Sequence, residues 1–150
     1  MAHHAVIFKP QERLVWVSTA PYQLGTFVAY DLKQIFSGSS YPSHSPYIQN
    51  PSLNIPAAPF LYSQAFKDYE AYRLLEQQIE THLREHTPIV IDKVKHITTL
   101  NPHYWKAYYL LGKVYQVQGN TSTAHQLFQK ALQCEIPYTE ERERIEKLAN

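Results

Sequence analysis

Few residues of this chain stand at spacings that chemistry needs. His82 and His86 lie four apart, one helical turn, which is the spacing of two zinc ligands on one face. The pattern supplies no third ligand, since nothing places His96 or His103 beside the pair, and the glutamate that metalloprotease helices carry directly after the first histidine is missing. An exposed helix face accounts for the pair equally well. Serine, histidine and aspartate all occur, but there is no G-x-S-x-G elbow or phosphate loop, and only four glycines to build one. Cys134 would need a depressed pKa and access to act as a nucleophile. Its place near the end of a packed helix fits a structural cysteine better. The sharper candidate is Lys106, Tyr109 and Lys113, at i, i+3 and i+7 on one helix face. Two ammonium groups around a tyrosine can hold an acidic or C-terminal peptide, although lysines on an exposed helix are also ordinary. No catalytic residue, metal ligand or cofactor is assigned.

The elements that position these residues fall into two architectures. Residues 1–60 hold seven of the ten prolines and five charged residues, whereas 61–150 hold three prolines and twenty-two charges. Residues 4–8 and 14–18 are β-branched and aromatic runs separated by Lys9-Pro10-Gln11-Glu12-Arg13, which predicts a hairpin. Residues 26–30 predict a third strand, and Asp31 a cap for a short helical turn through Phe36. His3-His4 begins the first strand rather than a tag. Aromatics such as Phe8, Trp16 and Phe27 on so few strands want a larger sheet or a helical layer over them. Residues 37–60 form a Pro/Ser-rich strap without a charged residue. It is either a linker or, through Tyr41, Tyr47, Ile48 and Ile55, a segment lying along another surface.

From Ser63 the apolar period becomes helical. Phe66, Tyr69, Tyr72, Leu75, Ile79 and Leu83 follow steps of three and four, giving one stripe on a helix ending near His86. Thr87-Pro88 and Asn101-Pro102 both look like helix starts, an N-cap with proline at the first helical position. Gly119-Asn120 breaks the chain again. Thr139 can cap a last helix through Leu148, with Glu140 and Glu141 in the first turn, where the helix dipole favours negative charge. The expected fold class is α+β, mainly α, with about five helices in antiparallel pairs over 61–150.

Composition narrows the partners. A formal net charge of +1 makes no case for nucleic acid or for an anionic membrane surface. No run approaches the ~18 apolar residues of a membrane span, and Met-Ala-His-His lacks the regions of a signal peptide. The single cysteine excludes an intrachain disulfide. A cytoplasmic protein is the default expectation; for the tail of a longer exported precursor, the upstream sequence would carry the address.

Two resemblances sharpen the reading. Residues 101–137 resemble a tetratricopeptide (TPR) unit. Leu111, Gly112 and Tyr115 stand in its first helix and Ala124, Phe128 and Ala131 in its second, with Gly112 allowing close approach and Tyr115 and Phe128 filling the space. Ile136 departs from the repeat, which usually has proline there; Pro137 follows one place later. Thirty-four residues earlier stand Val90, Val94, Ile97 and Pro102, so 87–100 looks like the second helix of a degenerate preceding unit. The resemblance implies that Lys106, Tyr109 and Lys113 line a concave groove. Lys113 stands where the carboxylate-clamp type has asparagine.

The second resemblance covers the first 36 residues. His-His before an apolar strand, F-x-P, L-x-W-V-S and Y-x-L-G-x-F-V-x-Y-D-L resemble the closing strands of N-terminal-nucleophile (Ntn) hydrolases of the penicillin acyl-transferase and choloylglycine hydrolase type. Some bacterial members continue into a TPR-like tail. The family's nucleophile is a cysteine freed at a new N-terminus. Met1-Ala2 does not supply it, and no catalytic position is carried over. The resemblance implies a C-terminal portion that is inactive alone, with a helical accessory or oligomerising module. Its partner would be a protein or peptide, either the catalytic portion or a second copy of the chain. The alternative is a free-standing TPR-type interaction protein.

Overall fold

The structure is a computed structural model that describes residues 4–37 and 49–150; Tyr41, Tyr47 and Ile48 of the strap, and His3, lie outside them. It is an α+β protein, mainly helical, with a small three-stranded antiparallel sheet. The chain divides into two compact units, Met1–Ser63 and Gln64–Asn150.

In the first unit β1 (Val6–Lys9), β2 (Leu14–Ser18) and β3 (Phe27–Asp31) lie in sequence order. The register aligns Ile7, Trp16 and Ala29 in one cross-strand row. β1 starts two residues later than the apolar run predicts. The pairing nevertheless extends to Ala5, whose N–H donates to the buried Ser18 hydroxyl at 2.8 Å and whose carbonyl accepts from Ser18 N–H at 2.9 Å. Asp31 caps α1 (Leu32–Phe36) by accepting from Lys33 and Gln34 N–H, as its residue type predicts.

The described part of the strap lies along the outer edge of β3. Ile55 exchanges both backbone hydrogen bonds with Phe27 at 3.0 and 3.1 Å, and Asn50 N–H donates to Ala29 O at 2.8 Å. Asn54 Oδ1 accepts from Ala29 N–H, and the Trp16 indole donates to Leu53 O at 2.8 Å. Of the two readings of this segment, lying on a surface is the one realised, because a β3 edge left open would strand its backbone donors and acceptors. The opposite edge is different. Every residue of β1 is exposed, including Val6, Ile7 and Phe8.

In the second unit α2 (Gln64–Glu85) buries Tyr72, Leu75 and Ile79, the centre of its predicted stripe. The second helix predicted from Thr87-Pro88 is corrected. Residues 87–90 form no helix, and the helix is split into α3 (Ile91–Val94) and α4 (Ile97–Leu100), with Val90 as an extended cap that makes no side-chain bond. The reason is that Thr87 is already engaged at the end of α2, its N–H on His82 O and its hydroxyl on the His82 ring. Val94 and Ile97 enter the core, whereas Val90 is exposed.

The next start is also displaced: α5 runs Trp105–Val117 after Tyr104, and Asn101-Pro102 forms the preceding turn. Then α6 (Thr121–Gln133) follows a tight connection in which Gly119 takes φ 79° and Asn120 caps through Thr123 N–H. Cys134 lies just past the end of α6 instead of inside it. In α7 (Thr139–Ala149) Thr139 is the first helical residue and Tyr138 the cap position, so Thr139 does not cap; Glu140 and Glu141 do occupy the first turn.

Helix α5 is the hub. Ala107, Leu110, Leu111 and Val114 pack with Tyr72, Leu75, Ile79, Val94 and Ile97 in one cluster. Trp105 joins Ala124, Phe128, Ala131 and Ile145 in the other. Gly112 is required where α5 meets α6, because a Cβ there would sit 2.6 Å from Phe128 Cε1.

Candidate functional site

The three candidate residues Lys106, Tyr109 and Lys113 stand one turn apart on α5 and line one open groove of about 610 Å³ between α2, α5 and α7. Arg84 borders it from α2, Tyr138 from the turn before α7, and Arg144 from α7. The helical period brings the first three together; the packing of three helices adds the others.

Their chemical states differ from what a bare lysine–tyrosine–lysine face suggests. Lys106 Nζ stands 2.8 Å from Glu76 Oε1 and 2.7 Å from Glu80 Oε1. Burial alone would depress this ammonium, but hydrogen bonds to the two carboxylates, together with their charges, outweigh burial and hold it well above its ordinary value. Lys106 therefore joins α5 to α2, and with two carboxylates on one ammonium the cluster adds no positive charge to the groove but a net negative one. Tyr109 is half-buried, tilted against Trp105 and Phe128 with ring centroids 6.1 Å from each. The Arg144 guanidinium lies 5.0 Å over its ring, so that face is already taken by a cation–π contact. Lys113 donates to the neutral amide of Gln116 at 2.8 Å.

Arg144 is paired with Glu141. Arg84 and Lys113 are thus the groove cations without a carboxylate partner among the described residues. Tyr104 and Tyr138 complete the lining, and Tyr138 is largely exposed. Burial, and then the nearby Glu76 charge, push the Tyr104 hydroxyl up, so it stays a neutral donor. At the groove's floor Trp105 Nε1 is buried without a hydrogen-bond partner among the described residues, and burial, then the Glu76 charge, push the Tyr72 hydroxyl up. Tyr72 meets Tyr104 edge-on at 5.7 Å.

Arg84, Tyr104, Tyr138 and Arg144 carry no local sequence signal. Glu76 and Glu80 do, being one turn apart on α2, but nothing in the pattern matches them to Lys106 some thirty residues later. The histidine pair does not assemble further. His86 lies past the end of α2 with φ 54°, His82 Nδ1 is 2.5 Å from Thr87 Oγ1, and among the described residues no group of three potential metal ligands forms. Desolvation pushes the half-buried Cys134 thiol up, and its Sγ contacts Lys130 O at 3.6 Å, an environment unlike that of a reactive thiolate. No helix of the described residues is long and apolar enough to cross a membrane.

No known family, curated protein or solved structure matches this chain.

Proposed function

We propose that the chain is the non-catalytic C-terminal portion of an Ntn-type amide hydrolase or acyl-transferase, with the helical unit as an accessory or oligomerising module. The observation that carries this reading is β1. It is an edge strand with Val6, Ile7 and Phe8 exposed ahead of a single charge at Lys9 and no covering element among the described residues, in a sheet whose other edge is covered by the strap. Soluble proteins blunt such an edge with charge, proline or a covering element. An uncovered one is a template for a further strand, and a larger sheet supplies it. The purified chain is therefore expected to associate through this edge. Size-exclusion chromatography with light scattering should show concentration-dependent oligomers that revert to monomer in Ile7→Lys/Phe8→Lys. A monomer in both proteins would overturn the reading, as would amidase turnover abolished by Cys134→Ala.

The groove on the helical unit favours a second reading, a peptide-binding protein. Arg84 and Lys113, its cations without a direct carboxylate partner among the described residues, and its accessible Tyr104 and Tyr138 suit the free carboxylate of a peptide. Fluorescence anisotropy with a labelled peptide that keeps its free carboxylate should give saturable, salt-sensitive binding. Affinity should fall about tenfold or more in Arg84→Glu/Lys113→Glu, since hydrogen bonds to charged groups carry ~1.5–3 kcal/mol each. Equal affinity in the variant would exclude this groove.

A further inference from the structure

The end of α2 is built in an uncommon way. Thr87 N–H donates to His82 O at 3.0 Å while His86 occupies the left-handed conformation, φ 54°. This is a Schellman end, in which the left-handed position usually belongs to glycine because a Cβ is unfavourable there. The side chains that flank it usually make an apolar contact. Here they make a polar one, His82 Nδ1 to Thr87 Oγ1 at 2.5 Å. Arg13, Tyr22 and Gln23 also take positive φ, so it is the surroundings of His86, not its conformation alone, that point to a use for its side chain.

That use is visible next to it. A cavity of about 230 Å³ opens between the end of α2, the 87–90 segment and the end of α5. Its walls are apolar, including Leu83, Ile89, Val114 and Val117. Its polar side is made by His82, His86 and Gln118, and Gln118 ties the loop to α5 by donating to Ile89 O at 2.6 Å. No Asp, Glu, Lys or Arg lines it.

We propose that this cavity binds a short monocarboxylate, its hydrocarbon tail against Leu83, Ile89, Val114 and Val117 and its carboxylate on the imidazoles of His82 and His86. The absence of a lining carboxylate disfavours an ammonium head. The absence of lysine and arginine, with mostly apolar walls, disfavours a phosphate. Size sets the tail. A cavity of ~150 Å³ accepts benzene, so this one has room for on the order of nine non-hydrogen atoms. Hexanoate is within that limit. His82 is held by Thr87 through one ring nitrogen, which leaves the other for the ligand, and the left-handed turn places His86 at the same cavity.

The test is a titration of the ¹⁵N-labelled full chain with hexanoate, hexan-1-ol and hexylammonium, followed by amide shifts. Hexanoate should shift resonances of 82–89 and 114–118 saturably, with a Kd in roughly the millimolar range or tighter for so small a ligand. The alcohol should bind about tenfold more weakly, since it lacks the charge-assisted hydrogen bonds, and the ammonium likewise, since no carboxylate lines the cavity to pair with it. His86→Gly keeps the left-handed turn and relieves its strain. It should unfold at a higher temperature yet bind hexanoate about tenfold more weakly, with hexan-1-ol affinity little changed. Val117→Asp, at an exposed wall position, should weaken both hexanoate and hexan-1-ol. The proposal is overturned if no saturable shift occurs at these residues, if hexan-1-ol binds as well as hexanoate, or if His86→Gly retains full hexanoate affinity.

Discussion

Phe128→Ala is expected to destabilise the helical unit by about 3–5 kcal/mol, the usual cost of emptying a buried aromatic site. The ring is fully buried, tilts against Tyr109, and sits in one cluster with Trp105, Ala124, Ala131 and Ile145, so its loss uncouples α5, α6 and α7 together. Urea unfolding followed by far-ultraviolet circular dichroism measures the loss. The same ring explains Gly112. In the wild-type background Gly112→Ala should destabilise by about 1–2 kcal/mol, because overpacking against Phe128 Cε1 outweighs the ~1 kcal/mol that alanine gains in a helix. In the Phe128→Ala background the same change should become neutral or stabilising. An equal cost in both backgrounds would show that the contact with Phe128 is not what demands glycine.

Lys106→Met carries the second large effect. It leaves Glu76 and Glu80 facing each other across one turn of α2 without the ammonium that bridges them. Exposed pairs contribute ~0–1 kcal/mol and breaking buried ones costs ~3–5, and the partial exposure of Glu80 and Lys106 places this cluster between, at about 2 kcal/mol. Replacing Glu80 by glutamine in the variant should restore part of the loss. The pH dependence has a definite sign. The native Lys106 value lies above the ordinary ~10.4, so the native state binds this proton more tightly than the unfolded chain does. Its contribution is complete below about pH 10 and is lost as pH rises through the native value. Wild type and Lys106→Met should therefore differ in stability by a constant amount from neutrality to about pH 10 and converge above it. A difference that persists undiminished at higher alkaline pH would mean that Lys106 acts through packing of its alkyl stem, not through charge.

Local order was legible where one residue type answers one local need. The three strands, the Asp31 cap, the stripe on α2 and the turn at Gly119-Asn120 all follow from period and turn chemistry. Helix starts were less legible. Thr87, Asn101 and Thr139 each have a capping side chain, yet none caps the helix that follows. For Thr87 the reason is visible, because His82 takes its hydroxyl and the end of α2 takes its N–H. A capping residue offers one set of hydrogen bonds, and tertiary neighbours compete for it.

The candidate groove divides in the same way. The sequence by itself determined that Lys106, Tyr109 and Lys113 share a face of one helix, because their spacing is set by 3.6 residues per turn. Only the tertiary structure decided their states: Lys106 bound by two carboxylates of α2, Tyr109 covered by Arg144 of α7, and Lys113 left with Arg84 without a direct carboxylate partner among the described residues. Each of those outcomes depends on which helices lie beside α5. That choice is made by shape at contacts such as Gly112 against Phe128, between residues far apart in the chain, where no local period reaches.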